Sequence, residues 1–176
     1  MSAAWVDRRT AAEERILDAA GELFAAAGAA GVDGVAMGQI ATAAGCSRAT
    51  LYRYFPDRPA LQRAFVQREA VRVGALVAAD GAATVTDAVL SALRHVRAAP
   101  TLAAWFRAGD AGRAAGLAHD SEVIAALGLT VVADRDAAQW LVRVIVSLLT
   151  VPGGDEDAER RLVERFVVPV IALGSP

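Results

Sequence analysis

The chain is predicted to be all-α, and three observations carry that prediction. Apolar residues return at three- and four-residue intervals along most of the 176 residues, while alternating strand patterns are nearly absent. Gly and Pro interrupt these runs at their ends, and Ser, Thr or Asp stands where most of them begin. The apolar share of 55% is inflated by 42 Ala residues, which favour helix but bring little area to a core.

The elements follow in order. Ile16, Leu17, Ala20, Leu23 and Phe24 recur at i, i+1, i+4, i+7 and i+8, with Glu13, Glu14, Asp18 and Glu22 elsewhere on the wheel. That spacing predicts an amphipathic helix over about residues 10–27, with Gly28 as its stop. Gly31 and Gly34 make a loop. Met37, Ile40, Ala41 and Ala44 share one face of a short second helix ending at Gly45. Ser47 is a good cap for a third helix over 48–55, closed by Pro56, which disfavours helix at the residue before it. Asp57 caps a long fourth helix over 58–79, with Pro59 in the first turn where its missing N–H does no harm. Thr86 is expected to cap a fifth segment through Val89, Leu90, Leu93 and Val96, which Pro100 stops. Residues 101–116 read as one or two short, irregular helices, with Leu102, Trp105 and Phe106 followed by spaced Gly109, Gly112 and Gly116. Ser121 caps a segment to 129 and Asp134 one to 150. The Pro152-Gly153-Gly154 turn then leads into a last helix over 155–172, where Pro169 should kink the backbone. The fourth helix is expected to belong to both halves of the molecule, because no flexible linker separates them.

Composition excludes several classes. One Cys and two His are too few for a disulfide framework or a structural zinc site, so no metal is expected and the compartment is expected to be a reducing cytosol. The apolar stretch over 144–151 falls well short of the ~20 residues a membrane span needs. At the start, charges follow the few apolar residues, which is not the order of a secretory signal. Gly28, Gly31 and Gly34 follow no strand and precede no Lys, so no nucleotide-cofactor loop is expected. Net charge is −2, and all 18 basic residues are Arg. A bulk polyelectrolyte binder is therefore excluded, and any nucleic-acid contact must come from a local patch. Residues 35–60 supply one: Arg48, Arg53 and Arg58 against Asp57 alone.

Helix, Gly-containing turn and helix is the geometry that lets one short helix cross a phosphate backbone while the next enters a major groove. At 100° per residue, Leu51 and Phe55 face inward, opposite Ala49 and Arg53, with Arg48, Thr50, Tyr52 and Tyr54 on the flanks. Arg48 can fork onto guanine, Ala49 can touch a thymine methyl, and Thr50, Arg53 and Tyr54 offer donors for phosphate oxygens. Period and composition alone leave an ordinary solvated helical hairpin open as the alternative.

The run Ile40-Ala41-Thr42-Ala43-Ala44-Gly45-Cys46-Ser47-Arg48-Ala49-Thr50-Leu51-Tyr52-Arg53-Tyr54-Phe55-Pro56-Asp57, followed by Arg58-Pro59-Ala60-Leu61, resembles the DNA-binding signature of the TetR family of bacterial repressors. The similarity covers roughly residues 10–65. It implies base contacts from Arg48, Ala49 and Tyr52, and phosphate contacts from Thr50, Arg53, Tyr54 and Arg58. It also implies a homodimer on an inverted-repeat operator of double-stranded DNA. Ala36 stands where the family usually has Ser or Thr, and Gly38 where longer polar side chains often reach DNA. Affinity is thus expected to lean on Arg48, Arg53 and Arg58. The expected division is a helix-turn-helix DNA-binding domain over 1–57 and a helical ligand-binding and dimerisation domain over 58–176.

The second half matches no motif. Trp105, Phe106 and Trp140 are expected to line a pocket for an unidentified small-molecule effector. His95 is its first polar handle, and His119, Arg107 or Arg113 are further ones; the glycines at 109–116 would form a mobile entrance. The competing reading makes Trp105 and Trp140 ordinary core. Leu141, Val144 and Leu148, with Leu162, Phe166 and Val170, carry more apolar width than one neighbour needs, and the resemblance implies that such helices form the dimer interface. The expected function is a ligand-released repressor. A small helical enzyme is the alternative, though no nucleophile motif or paired carboxylates support it. A helical interaction protein without DNA binding would leave the side chains of the third helix unexplained.

Overall fold

The computed structural model describes residues 3–27, 31–107, 112, 116 and 121–173. Gly28, Gly109, Arg113 and His119, with their expected roles as stop, entrance and polar handles, lie outside the described residues. The described residues form ten α-helices and no strand: α1 (Ala3–Ala26), α2 (Met37–Ala43), α3 (Arg48–Tyr54), α4 (Arg58–Ala79), α5 (Val85–Ala98), α6 (Pro100–Ala103), α7 (Glu122–Gly128), α8 (Arg135–Thr150), α9 (Glu156–Phe166) and α10 (Val168–Leu173). Single 3-10 turns lie at Val32–Gly34 and Ala104–Phe106. Among the described residues no helix is long and apolar enough to cross a membrane.

Local chemistry starts most of these helices where the sequence places them. Side-chain oxygens of Ser47, Asp57, Ser121, Asp134 and Asp155 each accept from the backbone N–H three residues on, at 2.7 to 3.3 Å. The fifth helix corrects one expectation: Thr84, not Thr86, is its cap, accepting from Asp87 N at 3.1 Å, while Thr86 is buried within the first turn. Near the other end of the chain the helix breaks at Val167, and Pro169 explains the break. Its ring nitrogen cannot donate to the Arg165 carbonyl, so α9 ends one turn before it and α10 restarts.

Two apolar cores organise the helices. The first joins Ile16, Leu17, Ala20 and Phe24 of α1 to Ile40 and Ala41 of α2, Leu51 of α3, Phe55, and Leu61 and Phe65 of α4. It reaches on to Val96, Leu102 and Trp105. Phe24, Phe65 and Trp105 form its centre: Phe24 meets both other rings edge-on at 5.3 and 5.4 Å, and Phe65 stacks on Trp105 at 5.8 Å. The second core joins Val89, Leu90 and Leu93 of α5 to Ala138, Leu141, Val144 and Leu148 of α8, Val163 of α9, Val167, and Ile171 of α10. Leu149 packs against both.

Ion pairs fix two of the joints. Arg68 of α4 reaches Glu14 and Asp18 of α1 at 3.1 and 2.8 Å and its neighbour Glu69 at 2.8 Å, and Arg72 adds bonds to Glu14 and Glu69. The middle of α4 is thereby pinned to α1. At the other joint Arg97 of α5 grips Glu159 of α9 through both guanidinium nitrogens, at 2.8 and 2.7 Å, and donates to the Leu148 carbonyl at 3.0 Å. Glu159 also accepts from Gly153 N, so one buried carboxylate holds α5, the 151–155 turn and α9 together.

Candidate nucleic-acid interface and apolar cavity

The turn between α2 and α3 is built around Gly45, whose φ of +64° lies in the left-handed region that L side chains avoid. Cys46 N donates back to Ala41 O at 2.9 Å and Gly45 N to Thr42 O at 3.1 Å, closing α2 with the paired bonds of a glycine C-cap. Cys46 is partly buried against the first core, in keeping with a small apolar turn residue. The α2 start lacks a side-chain cap, as Ala36 requires, but Gln39 Oε1 accepts from Ala36 N at 2.8 Å and recovers half of a capping box.

On this scaffold α3 buries Leu51 completely and, just past its end, Phe55. Arg48, Ala49, Tyr52 and Arg53 are exposed, and Thr50 and Tyr54 are half-buried. The Arg53 guanidinium lies 5.6 Å from the Tyr54 ring, and Thr50 Oγ1 accepts from Ser47 Oγ at 3.0 Å. The structure thus brings six of the seven sequence-selected residues onto one short helix whose other side is core. Arg58 differs, because its guanidinium donates to the Asp33 carbonyl of the 3-10 turn and so ties α4 to the loop before α2. Gly38 has a role that composition could not reveal. A Cβ there would lie 2.5 Å from Arg48 Nη2 and 2.9 Å from Nε, so the Arg48 guanidinium lies over the bare backbone of α2.

A cavity of about 770 Å³ opens among α4, α5, α7 and α8. Trp105 and Phe106 line it, as expected; Trp140 and His95 do not. Trp140 projects outward from α8 and is 44% exposed. At 100° per residue it lies far from the α8 stripe of Val142, Ile145, Val146 and Leu149 that forms the wall. His95 is taken by Asp80, its Nε2 lying 3.0 Å from Oδ2. The Ser91 hydroxyl, donating to Asp80 at 2.6 Å, and then His95 hold that carboxyl below its usual range. An apolar cavity among the fourth to eighth helices is the sequence expectation, but it names none of the α4 wall residues, although Val66, Ala70, Val73, Gly74 and Val77 keep helical spacing on the side away from the ion pairs. That small, unbranched or β-branched apolar stripe was the available signal.

The residues proposed for a protein–protein face divide into two groups. Leu141, Val144 and Leu148 are buried against α5 and α9 of their own chain, which corrects their assignment as an interface. Leu162, Phe166 and Val170 are 36%, 59% and 55% exposed, and on α8 and just beyond it the outward apolar side chains are Trp140 and Val151. The apolar width of α8 is real, but it serves the second core and the cavity wall.

Comparison with known proteins agrees with this arrangement. The family described as bacterial regulatory proteins, tetR family, matches residues 16–65, from the middle of α1 into α4. An uncharacterized HTH-type transcriptional regulator of Mycobacterium tuberculosis strain CDC 1551 / Oshkosh, MT1294, is 43% identical over 186 residues, covering 96% of this chain and 90% of its own. Its counterpart in strain H37Rv, Rv1255c, aligns with the same figures. The crystal structure of AlkX, a TetR family repressor from Dietzia sp. strain DQ12-45-1b implicated in biodegradation of n-alkanes, shares the fold. Its TM-score is 0.56 at 21% identity, over 90% of this chain and 96% of that one. A helix-turn-helix carried on α1 and α4, a second helical layer behind it and full-length likeness to these regulators lead to one conclusion: the chain belongs to the TetR family and is a DNA-binding transcriptional regulator.

Proposed function

We propose that the protein is a ligand-released repressor that binds an inverted-repeat operator as a homodimer. The observation that carries this reading is Trp105, which lines the cavity and, within the first core, stacks on Phe65 and meets Phe24 edge-on, the rings that seat α4 and α1 beneath the helix-turn-helix. A compound in the cavity therefore acts on a wall shared with the DNA-binding half. It can release DNA only by favouring a conformation that does not fit the operator. In this reading residues 1–57 bind DNA and 58–176 hold effector and partner. Arg48, Ala49 and Tyr52 read bases, while Thr50, Arg53 and Tyr54 position the backbone. Arg58 reaches a phosphate by giving up the Asp33 carbonyl. The partner face is Leu162, Phe166 and Val170, extended by Trp140 and Val151.

A salt-titrated binding assay on DNA from the protein's own upstream region and on random DNA tests this. The expected result is a specific affinity at least about 10³ above random. Equal binding to both would remove sequence-specific regulation by this chain alone.

A further inference from the structure

We infer that the cavity takes an uncharged, predominantly hydrocarbon compound; this rests on the reading of the cavity as the effector site and names what occupies it. Among the described residues that line it, none is Asp, Glu, Arg or His. The two hydroxyls in the wall are already committed as donors: Thr84 Oγ1 to Asp87 Oδ2 and Thr130 Oγ1 to Leu127 O, each at 2.7 Å. Three polar side chains of α5 are likewise committed elsewhere. His95 and Ser91 face Asp80, and Arg97 faces Glu159, all outside the lining. The remaining wall is Val, Leu, Ile, Ala and Gly from five helices and the loops between them, together with Trp105 and Phe106.

A carboxylate or an ammonium entering this space would give up its hydration and find, among the described residues of the wall, neither an opposite charge nor a free hydroxyl proton in return. That is the costly case for a buried ion. A hydrocarbon chain loses nothing by the same transfer. The one buried side-chain donor without a partner among the described residues is Trp105 Nε1.

The test uses the full-length chain and displacement of the neutral dye Nile red by dodecanol, methyl dodecanoate, dodecanoate and dodecylammonium, all below their aggregation concentrations at neutral pH. The alcohol and the ester are expected to compete, and both ions to be at least about 100-fold weaker. Ala92→Trp on α5 and Val142→Trp on α8, each checked for helicity, fill the cavity from two walls. Either one, if folded, is expected to abolish dye binding. Dodecanoate competing within tenfold of dodecanol would overturn the ligand class while leaving an effector cavity in place. Dye affinity unchanged in a folded filling variant, or no compound competing in the wild-type chain, would overturn the cavity as a ligand site altogether.

Discussion

The Arg48 guanidinium lies over Gly38, and if Arg48 reads bases as proposed, that contact makes a glycine with no side chain of its own part of the proposed reading surface. Replacing Gly38 by Ala meets only the far end of a flexible side chain, so the fold has no reason to suffer; the substitution favours helix by up to about 1 kcal/mol. The displaced guanidinium, however, must leave α2. We expect Gly38→Ala to keep or raise the thermal midpoint while changing base preference at the same operator position as Arg48→Ala, where the loss is about 1–3 kcal/mol. Ranking half-site variants with both proteins decides it. An unchanged ranking in Arg48→Ala would end the base-reading role, and an unchanged ranking in Gly38→Ala alone would show that Arg48 reads DNA from a position clear of α2. Arg58 should behave differently. Arg58→Ala is expected to weaken all sequences alike and to reduce the salt slope by about one. A slope equal to wild type would leave it only the bond to the Asp33 carbonyl.

At the scale of elements, the helix starts were legible because capping is local chemistry: Ser47, Asp57, Ser121, Asp134 and Asp155 each need only a backbone N–H three residues away. Thr84 was not, because Thr86 offers the same side chain within the same turn and only packing decides which one is buried. The Arg97–Glu159 joint was invisible for another reason. It links residues 62 apart, and nothing in either local sequence marks the carboxylate as buried. The pair is energetically lopsided, since the Arg97 side chain keeps 38% of its surface while Glu159 keeps 1%. Arg97→Ala strands a buried carboxylate and should cost about 3 kcal/mol or more. Glu159→Gln leaves a guanidinium that can turn to water, and should cost less than half as much; urea denaturation of the two variants checks the order. The same joint sets an acid limit. Arg97 holds the Glu159 carboxyl low, as Thr84 does for Asp87 and Ser91 for Asp80. Depressed carboxyls contribute stability above their unfolded range and lose it as pH falls through the folded values. Stability should therefore be flat from neutrality to about pH 4 and drop below it. A fall beginning near pH 6 would assign the transition to other groups.

For the whole molecule, the fold class was legible because helical spacing repeats within a few turns, whereas the DNA-binding half became legible only through the family resemblance of the Ile40–Leu61 run, since spacing alone left a solvated helical hairpin open. Periodicity says which side of a helix is apolar but not what covers it. Leu141, Val144 and Leu148 illustrate this: their stripe faces α5 and α9 of the same chain, and Trp140, chosen for its size as pocket wall, faces outward. Once the intramolecular core is subtracted, Leu162 and Phe166 remain one turn apart on α9, with Val170 the next turn on and Trp140 and Val151 on the preceding helix and its end. A single short recognition helix makes too few contacts for operator specificity, whereas a two-fold dimer presents two of them about one DNA turn, ~34 Å, or a multiple apart. Phe166→Arg should then give a folded monomer that has lost cooperative operator binding, because a side chain already 59% exposed tolerates a charge within its own chain. Leu148→Arg should instead unfold the chain, because it places an unpaired guanidinium in the second core. Sedimentation with circular dichroism separates the two results. A folded dimer at micromolar concentration in Phe166→Arg would move the interface off α9, and a folded monomer in Leu148→Arg would restore α8's inner stripe to it.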